Sequence, residues 1–332
     1  MSGGFRALRL HAPAGEGGAP QARLETLQDG VLSPGDVIID VAFSSLNYKD
    51  ALVLAGRNGI VRDYPRIGGI DLSGTVRVSA DARWQHGDRV IAHGLGLGVV
   101  HDGGHAERAR LPGDWLLPLP AGMSLQEAAT IGAAGYTAAL SVHLMEHNGL
   151  QPDQGPVLVT GATGGVASVA IDILAQRGYE VVALSGKADA QDYLRGIGAA
   201  QVLDRHALEL GTRPLESARW AGAVDSVGGP LLAWVTRTMK PQGVITAFGN
   251  AGGAELATTV MPFILRGVRL IGVSGSGGPG MPQRLWQRLG SDYRPRHLDR
   301  IARMIRLDEL PAEAERMLQG RTIGRTVVQM QT

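Results

Sequence analysis

Val157-Leu158-Val159-Thr160-Gly161-Ala162-Thr163-Gly164-Gly165-Val166-Ala167 is the stretch whose reading decides the fold. The apolar run reads as a buried strand, the glycines as a turn, and the residues after Val166 as a helix. A dinucleotide needs that order, because its pyrophosphate sits against backbone N–H groups at a helix N-terminus. Gly161 permits the tight turn. Gly164 and Gly165 let the backbone approach the phosphates, and Ala167 keeps the helix close to the strand. Glycine is abundant here, 48 of 332 residues, so the strand before and the helix after give the pattern its meaning.

The next strand, Glu180-Val181-Val182-Ala183-Leu184, ends in Ser185-Gly186-Lys187. An enzyme that prefers NAD usually places Asp or Glu there, to accept from the ribose 2′-OH. A hydroxyl and a cation suit a 2′-phosphate instead, and an acid would repel it. Lysine occurs only at Lys49, Lys187 and Lys240, so its presence at this strand end carries weight. The cofactor reads as NADPH.

Outward from this unit, the first 125 or so residues are β-rich, with Val37–Val41, Gly74–Val78 and Asp88–Ile91 as strands between Gly and Pro breaks. From Ser124 the pattern alternates. Leu125–His147 reads as a helix, followed by strands at Gln201–Asp204, Ala223–Val227 and Gly243–Phe248, with helices between them. That alternation predicts an α/β fold with a doubly wound parallel sheet. After Leu270 it changes to a Gly/Pro/Ser loop, helical stretches near Leu285 and over Leu298–Ile305, and a last strand at Thr326–Val328. The expected domains are a discontinuous β-rich one, residues 1–124 and 272–332, around a dinucleotide-binding one, residues 125–271.

Composition excludes several chemistries. The chain has no cysteine, which removes disulfides, thiolate nucleophiles and cysteine zinc sites. His101 and His105 have helical ligand spacing, but Asp102-Gly103-Gly104 between them reads as a turn, so both are expected in a loop or at the surface and no metal site is expected. There is no Tyr-x-x-x-Lys pair, no Walker A loop and no G-x-S-x-G elbow. A net charge of +1 favours neither nucleic acid nor a membrane surface. The N-terminus carries no signal-peptide pattern and no run is long enough to span a bilayer. A cytoplasmic location is the expectation.

Ser45-Leu46-Asn47-Tyr48-Lys49-Asp50, Gly69-Ile70-Asp71, Gly87-Asp88-Arg89-Val90, Gly164-Gly165-Val166, Trp220-Ala221-Gly222-Ala223, Thr258–Arg266 and Gly324-Arg325-Thr326 together resemble the medium-chain dehydrogenases/reductases. More narrowly, the chain resembles the zinc-free YhdH/YhfP-type quinone oxidoreductase branch, which includes NADPH-dependent acrylyl-CoA reductase. The resemblance implies a GroES-like catalytic domain beside a Rossmann domain, and a homodimer. Zinc-dependent relatives carry Gly-His-Glu where this chain has Gly69-Ile70-Asp71. By the same resemblance, Thr163, Gly164, Gly165 and Val166 hold the pyrophosphate. Ser185, Gly186 and Lys187 hold the 2′-phosphate, with Arg205 near the adenosine. Asn250 lines the nicotinamide, Arg325 returns to the cofactor and Tyr48 faces the nicotinamide. Two loops depart from the branch, Gly94–Gly98 and Ser274–Gly278, and both are expected to border the substrate.

With neither metal nor nucleophile, the expected chemistry is hydride transfer to an electron-poor carbon of a small substrate. An enoyl thioester then develops an enolate oxyanion, and a donor aimed at it is the main electrostatic contribution. Asn47 and Tyr48 are the candidates, while Lys49 and Asp50 read as a solvated pair. A quinone or enone reductase on the same scaffold, and a non-catalytic NADPH-binding protein, are the alternatives.

Overall fold

The computed structural model describes residues 3–15, 18–275 and 277–330. The chain forms two compact units, Met1–Ala133 with Ala302–Thr332, and Ala134–Ile301.

The second unit contains the glycine turn. Its sheet has six parallel strands in the order Gln201–Asp204, Val181–Ser185, Val157–Thr160, Trp220–Asp225, Met239–Ala247, Arg269–Gly272. The three central strands are buried at every position, as a parallel sheet covered on both faces requires. The chain starts at Val157, winds outward to Gln201, then returns to the other side of its first strand. The order therefore reverses between Val157–Thr160 and Trp220–Asp225. In doubly wound sheets a ligand binds beyond the carboxyl ends of the strands at such a reversal. Leu158, Leu184, Ala223, Trp234 and Ile245 are part of one apolar cluster beneath it.

The first unit is built on a seven-stranded sheet. Its longest strand, Val37–Leu46, pairs antiparallel with Asp71–Ser79 along one side and, along the other, with Arg108–Leu111 and the C-terminal strand Arg325–Gln329. In that last pairing Thr326 lies opposite Leu46, which carries Arg325 to the residue after the strand, Asn47. Phe5–His11, Gln21–Leu27 and Arg66–Ile67 form a separate three-stranded sheet.

Two expectations are corrected. The helical stretch over Leu298–Ile305 is a short helix, Leu298–Ile301, followed by a strand, Ala302–Arg306. A parallel neighbour, Arg325–Gln329, decides that outcome, because strand preference depends on the partner surface more than on the local run. The helix Leu125–His147 is broken at Gly132, where φ is 49° and ψ is −156°. The first unit reaches past the start of that helix to Ala133, and the second extends to Ile301, beyond the expected division at 271/272. Of the Ser274–Gly278 loop, Ser276 lies outside the described residues. Among the described residues no helix is long and apolar enough to cross a membrane.

Candidate functional site

The glycine turn has the expected local geometry. Gly161 has φ of 58°, and a Cβ there would lie 2.3 Å from Ser226 Oγ. Both the left-handed backbone and the close approach of the Trp220–Asp225 strand end demand glycine. Gly164 caps the helix Gly165–Gln176 with an ordinary φ of −75°. The fold opposes a side chain at Gly164 only mildly, through Gly161 O at 3.2 Å. A residue that is exposed, glycine, and placed on a helix N-terminus leaves room for a ligand. Gly165 and Val166 begin that helix, and their N–H groups belong to the first turn, which has no intrahelical acceptor. Thr163 is buried under the turn.

The floor of the reversal is also built. Asp225 is fully buried and accepts from Thr160 Oγ1 at 2.7 Å and from Gly228 N at 2.8 Å. Burial pushes its carboxyl above the usual range, and the Thr160 hydroxyl pulls the other way. The loop after Met239–Ala247 is stitched to this strand end by Phe248 N to Asp225 O at 3.1 Å and Gly252 N to Val227 O at 2.7 Å. Asn250 lies in that loop against Gly228, exposed, with no hydrogen bond from its side-chain amide to a described residue.

At the next strand end, Ser185 Oγ accepts the backbone N–H of Lys187 at 3.0 Å. Lys187 is half-buried, and burial lowers its ammonium from the usual value while Asp189 opposes that shift. In the parallel register Ser185 pairs with Asp204, so Arg205 emerges beside Gly186. A Cβ on Gly186 would come within 3.2 Å of Arg205 Nη2 and 2.9 Å of His206 Nε2. The structure thus brings Ser185, Gly186, Lys187 and Arg205 together. It adds His206, which the reading of the chain did not single out.

In the first unit the outcome differs from expectation. Tyr48 opens the helix Tyr48–Leu54, is 49% exposed, and its hydroxyl bonds to no described residue. Asn47 before it is buried. Its Nδ2 lies 3.0 Å from Asp71 Oδ2 and 3.1 Å from Asp50 Oδ2, and its Oδ1 accepts from Arg325 Nη1 at 2.9 Å. These partners fix the amide orientation, and no donor is left for a substrate oxygen. Arg325 is 2% exposed. Its Nε donates to Thr130 O at 2.9 Å, and its Nη2 donates to Ser45 Oγ and lies 3.7 Å from Asp71 Oδ2. The guanidinium expected at the cofactor is instead held inside this unit by four protein partners.

One acid beside it also departs from expectation. Asp50 is 2% exposed rather than solvated. Its carboxylate accepts from Ile70 N at 3.0 Å and Asn47 N at 2.9 Å, a capping arrangement for the helix. Burial raises its carboxyl, His105 lowers it and Asp71 raises it. His105 lies in a loop, as expected, but is buried, with Nε2 3.3 Å from Ser45 O. Asp71 additionally accepts from Ser45 N at 2.9 Å and Ala133 N at 2.9 Å. Its carboxylate is engaged with Arg325, Asn47 and Ser45. These residues do not fit a zinc ligand set, and among the described residues no group of three or more His, Asp or Glu could hold a metal ion.

Residues 33–121 match the alcohol dehydrogenase GroES-like domain and residues 165–291 the zinc-binding dehydrogenase domain. The chain is 44% identical to the putative quinone oxidoreductase YhfP of Bacillus subtilis, over 99% of this chain and 100% of that one. It is 46% identical to the probable acrylyl-CoA reductase AcuI of Escherichia coli, over 94% and 97%. The YhdH oxidoreductase of Salmonella enterica, solved in complex with NADP, superposes with a TM-score of 0.94 at 44% identity, covering 98% of this chain and 100% of that one. The structure of B. subtilis YhfP has NAD bound, with a TM-score of 0.94 at 44% identity over 99% and 100%.

Proposed function

The chain belongs to the zinc-free medium-chain dehydrogenases/reductases of the YhdH/YhfP type, and from that membership we propose that it is an NADPH-dependent reductase acting on a small enoyl thioester such as acryloyl-CoA. The observation that carries the cofactor reading is the basic end of two adjacent strands, Ser185-Gly186-Lys187 beside Arg205. No acid stands where a ribose 2′-OH would be bound. Likeness to the acrylyl-CoA reductase supports the thioester, and likeness to the quinone oxidoreductase supports the alternative, a quinone or enone acceptor.

The bound dinucleotide supplies a hydride from its nicotinamide; the protein binds and orients. The first turn of Gly165–Gln176, with Thr163 and Gly164, takes the pyrophosphate. Asn250 carries a side-chain amide beside the Asp225 strand end and is assigned to the nicotinamide. Tyr48 is assigned to the developing enolate oxygen, because its hydroxyl is exposed and unengaged while Asn47 beside it is fully bonded. The Arg325 network holds the turn from which Tyr48 projects. A homodimer belongs to the same reading, supported by exposed Val260, Ile264 and Leu265 near the edge strand Arg269–Gly272. So does a cytoplasmic location.

The test is NADPH oxidation with acryloyl-CoA, crotonyl-CoA, benzoquinone and a simple enone. The proposal expects acryloyl-CoA to give the highest kcat/KM. Benzoquinone or the enone in first place selects the alternative. Tight NADPH binding without oxidation by any of the four makes the chain a non-catalytic binder.

A further inference from the structure

The parallel pairing of Ser185 with Asp204 makes two chain segments leave the sheet side by side, Gly186-Lys187 and Arg205-His206. Asp204 Oδ1 accepts the backbone N–H of His206 at 2.9 Å, which closes the turn Arg205–Ala207 and fixes where both side chains begin. His206 Nε2 and Arg205 Nη2 would lie 2.9 Å and 3.2 Å from a Cβ on Gly186. Imidazole and guanidinium therefore rest together on the one residue of this strand end that has no side chain. Arg205 lies on the same turn as His206, Asp204 accepts the His206 backbone N–H, and Lys187 and Asp189 follow the paired strand end. Neither ring nitrogen of His206 bonds to a described residue, and neither His206 nor Arg205 has a carboxylate partner among them.

We infer that His206 is a specificity-determining residue of this chain: its Nε2 donates a hydrogen bond to the 2′-phosphate of NADP(H) and carries positive charge while doing so. The inference rests on the NADPH reading of the same strand ends. Lysine and arginine keep their charge through neutral pH, whereas imidazole does not. Cofactor discrimination thus acquires a pH dependence that Lys187 and Arg205 alone would not give. The second ionisation of a phosphate monoester lies near ~6, so the ligand's charge is nearly constant from about pH 7 to about 8.5. A change of discrimination in that window originates in the protein.

The dissociation constants of NADPH and NADH are to be measured for the full chain at about pH 7 and about pH 8.5. For the unmodified protein, the preference for NADPH should fall roughly three- to tenfold between the two, the effect of losing one charge-assisted donor. NADH affinity should change little. His206→Gln should start from the lower preference and show no pH dependence, and His206→Arg should keep the higher preference at both values. Equal discrimination by the unmodified protein and His206→Gln at both pH values overturns the inference. Lys187→Glu separates the two levels. If it abolishes discrimination while His206→Gln does not, only the role of His206 falls. If neither substitution changes discrimination, the NADPH reading falls with it.

Discussion

Two arginines, Arg325 and Arg205, meet opposite fates in this molecule. Arg325 is buried with Asp71 and engages Thr130, Asn47 and Ser45. Arg205 is exposed, lies over a glycine, and has no acid partner among the described residues. A buried cation must be matched inside the protein or it destabilises the fold. Arg205 and His206, exposed and without a carboxylate partner among the described residues, are proposed to meet an anion that a ligand brings. The first arginine is therefore architecture for the turn that carries Tyr48. The second is proposed to receive an anion.

The sharpest way to break this contrast is to remove each cation in turn. Arg325→Ala leaves Asp71 buried without its counter-charge, and should cost about 3–5 kcal/mol of stability, read as a large fall in the denaturant midpoint. Arg205→Ala should leave that midpoint unchanged within about 0.5 kcal/mol and weaken NADPH. Equal midpoints for the two variants would put Arg325 back among ligand-binding residues.

The next effect concerns what the Arg325 network supports. If Tyr48 donates to the enolate, Tyr48→Phe should lower kcat ten- to a hundredfold, about 1.4–2.8 kcal/mol, with NADPH affinity nearly unchanged. Full kcat in the Phe variant on the best acceptor rules the donor role out. At the strand end beside Arg205, Lys187→Glu should remove a tenfold preference for NADPH, about 1.4 kcal/mol, without moving kcat on saturating cofactor by a comparable factor. The smallest expected effect is none. Exhaustive chelation should leave activity intact and elemental analysis should find no stoichiometric zinc, because Asp71 is engaged with protein donors and no cysteine exists. One tightly held zinc per chain contradicts that.

Local features were readable from the chain, and features set by distant pairing were not. The strand, glycine turn and helix of 157–167 and the strand that ends at Ser185 depend on neighbours in sequence, and the structure forms these elements as expected. The partners of Arg325 were hidden because Asn47 is 278 residues away, and only the antiparallel register with Val37–Leu46 reveals the meeting. Asp50 looked solvated beside Lys49, yet it caps a buried helix start. His206 escaped notice because only the pairing of Ser185 with Asp204 brings it to Gly186. The strand Ala302–Arg306 was hidden by a helical local pattern that its neighbour overrode. For Arg325, His206 and Ala302–Arg306 the missing information was which strand lies beside which.

Arg205 and His206, beside Ser185-Gly186-Lys187, are proposed to receive a 2′-phosphate. The most direct test is the equilibrium titration of the unmodified protein with NADPH and with NADH under one set of conditions. The account predicts that NADPH binds at least tenfold more tightly, a difference of about 1.4 kcal/mol. Equal affinity for the two cofactors, which differ only in that phosphate, would contradict it.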